Sequence, residues 1–343
     1  MSKQLNKQLS KQTIKFDNPP RWAAGYSIVG PKESGGPMSK YFDYILKSDS
    51  FSEKTYEKAE RKMLEHAITG AATKAGLLST DIDLLISGDL LNQIITSSFS
   101  ARQLQSGFLG LFGACSNMTE SLIVGAALVD GGFINTAACA TSSHFSSAER
   151  QFRFPLELGS PRPPTSQWTV TAAGCSIIKK GGTGHKITHA TIGKVIDFGV
   201  NDINNMGAAM APAAADTLQK VFEDTKTTPQ DYDLIISGDL GKLGSELLID
   251  LLEIKGYKIG ANYADCGQAI FSNTQRVFMG GSGCGCSASV YNSYVYNKLT
   301  DRSYKKVILM STGALMSPTS VQQGETIPAI AHAVIVEADE GGK

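Results

Sequence analysis

"DIDLLISGDL", residues 81–90, returns 150 positions later as "DYDLIISGDL", residues 231–240, with eight of ten residues identical. A copy this close at so long a spacing marks a duplicated half, not the short unit of a solenoid. Each copy is a short apolar run closing on Ser-Gly-Asp, the pattern of a buried strand ending in a tight turn.

The flanks repeat as well. An amphipathic helical stretch precedes each copy, "YEKAERKMLEHAITGAATKAGL" (56–77) and "AADTLQKVFEDT" (214–225). A Gly/Cys turn running into a helix follows each, "FGACSNMTESLIVGAALVDGG" (112–132) and "GGSGCGCSASVYNSYVYNKL" (280–299). An apolar strand comes next, "FINTAACATSS" (133–143) against "KKVILMSTGAL" (305–315). Helix, strand, helix, strand in each half predicts an α/β fold whose sheets are largely parallel. The halves are expected at 1–190 and 191–343, packed about a pseudo-twofold. Ligands then belong where strand ends and helix N-termini converge.

"RQFRFPLELGSPRPPTSQWT" (150–169) interrupts the pattern with Pro, aromatics and three arginines, Arg150, Arg153 and Arg162. It reads either as an ordered surface loop or as a lid that offers guanidinium groups to an anion.

The chain has 343 residues, 42% apolar and 19% charged, which suits a globular protein with a large core. Lys plus Arg and Asp plus Glu balance at 32 each, so no net field favours nucleic acid or an anionic membrane. Small molecules and proteins are the expected partners. Six cysteines sit in small or apolar contexts and read as reduced thiols of a cytosol-like compartment. The Cys284-x-Cys286 spacing is short for a zinc knuckle, and no metal site is expected. The N-terminal "MSKQLNKQLSKQTIKF" lacks the apolar core of a signal peptide, and no run is long enough for a transmembrane helix.

"GACSNMTES" (113–121) places Cys115 at a helix start, where the dipole and free N–H groups favour a thiolate. Cys115 is either part of a site or a small buried thiol under the turn. His144 follows a strand and reads as a donor to a ligand carboxylate or as a loop histidine bonded to backbone. Asp89 and Asp239 end equivalent strands, either as turn-holding side chains or with one facing a cavity, and Asp265 has the same two readings.

"GACS", "VDGG", "ATSSH", "AERQFR", "MAPAAADT", "DYDLIISGDL", "GGSGC" and "IPAIAHAVIVE" together resemble the stage V sporulation protein AD family of spore-forming Firmicutes, over nearly the whole chain from about residue 12. The resemblance implies a thiolase-like fold, a duplicated five-layered α-β-α-β-α architecture. It also implies a non-catalytic protein of sporulation and germination that binds dipicolinic acid (pyridine-2,6-dicarboxylate) or its calcium chelate and supports its uptake into the developing spore. Membrane proteins of the spore dipicolinate channel are the implied partners, at the inner spore membrane. No cofactor is implied, and calcium enters only within the chelate. A homodimer follows by family analogy, through the strand after the nucleophile helix, "INTAACATS".

Ketosynthases of this superfamily pair such a cysteine with a His after the strand matching "DLIISGDL" and an Asn before the last helix. Here Asp239 stands at the first position, Cys284 is nearest the second, and the final loop reads "STGALMSP". An ionised Asp is a poor oxyanion donor and repels a thiolate, and losing one oxyanion donor costs about 2.7–4 kcal/mol. The expectation is a retained cavity without catalytic residues, lined by Cys115, His144, Arg150, Asp239 and Cys284. The alternatives are a thioester-dependent acyl transferase using Cys115, and a scaffold that only docks a membrane channel.

Overall fold

A computed structural model describes residues 8–152 and 161–340. After the short β1 (Thr13–Lys15), the first half opens on β2 (Arg21–Val29), with β3 (Tyr44–Ile45) beside it. Helix α1 (Tyr56–Lys74) begins where Thr55 accepts from the Lys58 N–H. Met63, Leu64, Ala67, Ile68, Ala71 and Ala72 recur at the helical period and form its buried stripe. Then come β4 (Leu84–Gly88), α2 (Ile95–Leu104), β5 (Gly107–Leu111), α3 (Asn117–Asp130) and β6 (Thr136–Ser143). Helix α4 (Phe145–Phe152), β7 (Trp168–Thr169) and β8 (Ala172–Lys179) close the half.

The second half repeats this order. It runs β9 (His185–Thr191), α5 (Met206–Thr225), β10 (Leu234–Ser237), α6 (Gly241–Ile254) and β11 (Tyr263–Asp265). Helix α7 (Cys266–Ile270) and β12 (Gly281–Ser282) lead into α8 (Cys284–Val290), which passes through one π-turn to α9 (Tyr296–Thr300). Strand β13 (Lys306–Ala314), α10 (Pro318–Gln322) and β14 (Ala329–Glu337) complete it. The helix expected at 214–225 is longer than its amphipathic stretch, because Asn205 caps it further upstream and the helix runs through Pro212, which cannot donate to the carbonyl four residues back.

The strand order is palindromic: β11-β10-β13-β14-β9-β2-β8-β6-β4-β5. Strand β9 thus stands in the second half where β2 stands in the first, and the two meet antiparallel at Arg21–Lys186 and Trp22–His185. The sheets are mixed, which corrects the expectation of largely parallel ones. Strands β4, β5 and β6 are parallel, but β8 runs antiparallel between β6 and β2, and β14 does the same between β13 and β9. The cause is connectivity. Ser143 ends β6 opposite Ala172, which begins β8, so residues 144–171 form a wide hairpin excursion that needs no crossover. Residues 315–328 do the same between Ala314 and Ala329.

Five layers result, as expected. Helices α1 and α2 cover the outer face of the first sheet, with Met63, Leu64 and Ile68 packed among Leu85, Ala138 and Ile177. Helices α5 and α6 cover the second, where Met210, Phe222 and Leu248 meet Ile235, Ile308 and Ile335. Helices α3 and α8 lie between the sheets, with Leu122 and Val290 against Ile86, Ile236 and Leu309. Neighbours such as Ile235 and Ile236 face opposite layers, as the strand period requires. The middle layer is tight: a Cβ on Gly174 of β8 would lie 2.3 Å from the Ala288 carbonyl oxygen of α8. Among the described residues, no helix is long and apolar enough to cross a membrane.

Strand β6, expected at a dimer interface, is buried along its whole length between β4 and β8 and has no free edge. The outer edge of the first sheet is β5.

Candidate functional site

Cys115 sits in the short turn 114–116 that leads into α3, preceded by Ala114 in the left-handed region at φ 53°. An alanine held there costs on the order of 1–3 kcal/mol, so its surroundings must fix it. Asn117 accepts from the Gly113 N–H at 2.7 Å, and the Ser116 hydroxyl donates to the Gly113 carbonyl at 2.7 Å. From the other half, β13 presses on the same carbonyl, where a Cβ on Gly313 would stand 2.4 Å from it.

The facing wall is the turn after β10. Asp265 holds that turn by accepting from Ser237 Oγ at 2.7 Å, Leu240 N at 2.9 Å and Gly241 N at 3.0 Å. It also caps α7 through Gln268 N at 3.0 Å, so of its two readings the turn-holding one is correct. Asp239 is buried and reaches across. Its Oδ1 accepts from Thr312 Oγ1 at 2.9 Å, and its Oδ2 accepts from Ser282 Oγ and Gly283 N at 3.0 Å each. Through Ser282 it meets the other half, since that hydroxyl lies 4.0 Å from Cys115 Sγ. Burial pushes the Cys115 thiol well above its usual range, and the Asp239 charge pushes it further. Burial also raises Asp239, against the hydrogen bonds it accepts. Both effects oppose the thiolate at this helix start. Asp89, the equivalent residue, stays in its own turn, accepting from Leu91 N at 2.9 Å and from Ser97 N and Oγ at 2.8 Å each.

Cys284 begins the symmetry-related helix and faces the first half. Its thiol donates to the Ser142 carbonyl at 2.9 Å, and Thr141 donates to the Cys284 carbonyl at 3.0 Å. The space beyond is filled by Glu60, which accepts from Ser142 at 3.0 Å and Ser147 at 2.6 Å, its carboxyl raised by burial and by Asp89. Ser282, two residues earlier, is the group that approaches Cys115, with Oγ 4.0 Å from Sγ. Gly283 at φ 104° turns the chain between the two.

A cavity of about 450 Å³ opens above Cys115 and Ser282. Leu90, Phe112, Phe152, Ile203, Met206 and Met316 supply apolar wall, and Asn92, Gln167 and Ser320 supply polar groups. Described parts of both hairpin excursions roof it, since residues within 148–152, 162–169 and 314–320 contribute. Strand β7 docks the first excursion onto the second half by pairing with β12, with Trp168 N donating to Gly280 O at 2.8 Å. Among the described lining residues, Arg162 carries the one positive charge and Glu149 the one negative charge. The two form a largely buried ion pair. Arg162 also donates to the Gln167 carbonyl at 2.7 Å, and its guanidinium lies 4.7 Å from the Trp168 ring centre and 5.1 Å from that of Phe145. Those rings stack at 3.9 Å.

Of the five residues expected at a pocket, the structure brings Cys115 and Asp239 together, with Cys115 on the cavity wall and Asp239 behind it. Cys284, His144 and Arg150 are not among the lining residues. His144 is buried at the start of α4, where its Nε2 donates to the Asp49 carbonyl at 2.9 Å and its Nδ1 accepts from Ser146 N at 3.1 Å. Burial lowers its pKa, which keeps it neutral. Arg150 pairs with Glu57 on the outer surface. Arg153 lies outside the described residues. None of the five histidines lines the cavity.

A family model described as stage V sporulation protein AD matches residues 10–337. Stage V sporulation protein AD of Bacillus subtilis (strain 168) is 46% identical over 335 residues, 98% of this chain and 99% of that one. Among solved structures, 3-oxoacyl-[acyl-carrier-protein] synthase III from Aquifex aeolicus VF5 matches with a TM-score of 0.58 at 12% identity, over 93% of this chain and 99% of that one. Human mitochondrial 3-ketoacyl-CoA thiolase in complex with CoA gives 0.59 at 11% identity, over 94% and 99%. Cerulenin-bound OleA of Xanthomonas campestris gives 0.63 at 12% identity, over 93% and 98%. At these identities the solved structures establish a shared thiolase-like fold.

Proposed function

The chain belongs to the stage V sporulation protein AD family, and from that premise we propose that it is a non-catalytic binding protein whose cavity takes dipicolinate or its calcium chelate and so supports dipicolinate uptake into the developing spore. The observation that carries this reading is the setting of Cys115, a buried thiol 4.0 Å from Ser282 at the wall of a cavity whose described lining holds no histidine. A nucleophile needs the opposite environment: a lowered pKa and a base within reach. None of the histidines lines the cavity, and four are engaged elsewhere, His144 with Asp49, His185 with Thr300, His189 with Thr188 and His332 with Gly193. What remains is a pocket with apolar walls for a planar ring, hydroxyl and amide groups for carboxylate oxygens, and one guanidinium.

Calorimetric titration of the purified protein with dipicolinate, with and without calcium, tests the proposal. Saturable one-to-one binding is expected, and its absence in both buffers overturns the reading. The rival, acyl transfer through Cys115, draws on the thiolase-like fold and on Cys115 standing at a cavity. Intact-mass measurement after incubation with an acyl-CoA tests it. No adduct at Cys115 is expected.

Peripheral attachment at the inner spore membrane, through membrane proteins of the dipicolinate channel, completes the proposal. A second copy of the chain is the proposed occupant of the free edge of β5, where Leu109 and the following Phe112 are exposed. No cofactor takes part, and calcium enters only with its chelate.

A further inference from the structure

We propose that the Glu149–Arg162 pair is the specificity element of the cavity, in which a ligand carboxylate displaces Glu149 and takes its place on the guanidinium. The inference rests on the reading of the cavity as an anion site and names the groups that select the anion.

Arg162 is built as a receptor. Stacking against Phe145 and Trp168 fixes the plane of its guanidinium, and the bond to the Gln167 carbonyl fixes its rotation. A fork held in this way loses little freedom when it grips a carboxylate in two-point fashion. Its side chain is 14% exposed, so the Arg162 charge cannot stand alone there without a large desolvation penalty, and on exchange the Glu149 carboxylate, 11% exposed, must swing out into the water of the cavity. In the unliganded protein Glu149 therefore acts as an internal substitute for the ligand. A carboxylate entering the cavity can replace it charge for charge, whereas a neutral molecule of the same shape cannot.

Glu149 and Arg162 come from opposite ends of the first excursion, α4 and the segment before β7, and both face the cavity. Exchange thus links occupancy of the cavity to the contact that ties these two segments. Selection follows from competition. The ligand must out-compete a tethered carboxylate, so an anion gripping Arg162 with one carboxylate while stacking its ring on the apolar wall succeeds where a simple aliphatic acid fails.

The test is calorimetry in calcium-free buffer with wild type, Glu149→Gln and Arg162→Met. Dipicolinate, phthalate as an unrelated aromatic dicarboxylate, and the neutral dimethyl ester of dipicolinate serve as probes. Removing the competitor is expected to tighten carboxylate binding about tenfold in Glu149→Gln, and Arg162→Met to weaken it at least about tenfold, with the ester insensitive to both. Thermal melting gives a reading that does not depend on Arg162→Met folding. Glu149→Gln takes one carboxylate off Arg162, so the unliganded variant should melt lower than wild type and gain more from saturating ligand. Unchanged or weaker carboxylate binding in Glu149→Gln overturns the exchange. If phthalate shows the gain and dipicolinate does not bind, the exchange stands and the dipicolinate reading falls. No binding of either acid to any variant overturns both.

Discussion

Cys115 Sγ of the first half lies 4.0 Å from Ser282 Oγ of the second, and that hydroxyl donates to the Asp239 carboxylate at 3.0 Å. Each residue comes from a turn that its own half holds rigid, and the pairing joins the helix-start group of one copy to the strand-end group of the other. At the symmetry-related place the Cys284 thiol crosses to the first half and donates to the Ser142 carbonyl, while Asp89 is held in its own turn by Ser97. One of two formally equivalent places is a cavity, and the other is solid protein.

Cys115 should react slowly with iodoacetamide at pH 8 compared with a free thiol, because burial and Asp239 both oppose the thiolate. Asp239→Asn removes the charge and leaves the burial. Alkylation followed by intact mass should become at least about threefold faster, while remaining slower than for free cysteine. An unchanged rate would show that Asp239 does not act on the thiol.

Asp265 should be costly to lose although it touches no cavity. Its carboxylate satisfies two backbone N–H groups of the turn carrying Asp239, as well as the cap of α7. Asp265→Ala is expected to destabilise the protein by about 3 kcal/mol or more in urea unfolding. Asp265→Asn should retain part of this and lower dipicolinate affinity through the displaced turn.

Glu33 gives a pH prediction with a definite sign. It is buried, accepts from Thr171 N at 2.9 Å through Oε1 and has no partner for Oε2. Burial pushes its carboxyl from 4.5 up to about 7. The folded state holds this proton more tightly than the unfolded state, so the contribution is full below about pH 4.5 and lost as the pH rises through about 7. Buried neutral histidines act in the other direction. His185 and His332 are lowered to about 4, so their contribution is present above about 6.5 and lost as the pH falls toward 4. Glu33→Gln should flatten the decline in melting temperature between pH 5 and pH 8 without altering the acid limb.

Leu109→Lys on the exposed edge of β5 should convert a dimer to a monomer in light scattering while leaving the melting curve cooperative. A wild-type chain that is monomeric at tens of micromolar would remove the premise.

The repeat made much of the architecture legible. Both copies of the Ser-Gly-Asp strand are where the pattern put them, and Cys115 begins α3 as its glycine-cysteine turn suggested. The reversed strands β8 and β14 were not legible, since an apolar run reads the same in either direction and only the excursion before it sets its sense. The second wall was misassigned by two residues. Counting back from "SASV" selects Cys284, but the positive φ at Gly283 directs Ser282 to Cys115. Among the described arginines of the insert, Arg150 is the one expected at the pocket, but Arg162 is the one that lines it. Glu57 on α1, far away in the chain, draws the first outward, and the Phe145–Trp168 stack holds the second inward. His144 follows its strand as expected, but the Asp49 carbonyl claims it.

The palindromic sheet has a further consequence. Cys115 belongs to one copy, Asp239 and Ser282 to the other, and neither copy encloses a cavity alone. The protein is in effect a tethered dimer of unequal partners, joined through the glycine-rich turn 180–184 ahead of β9, where Gly181, Gly182 and Gly184 all have positive φ. That turn sets the local concentration at which one wall meets the other. Cutting the chain there would yield two pieces whose reassociation can be followed by the return of the cavity, which turns an internal duplication into a two-component switch.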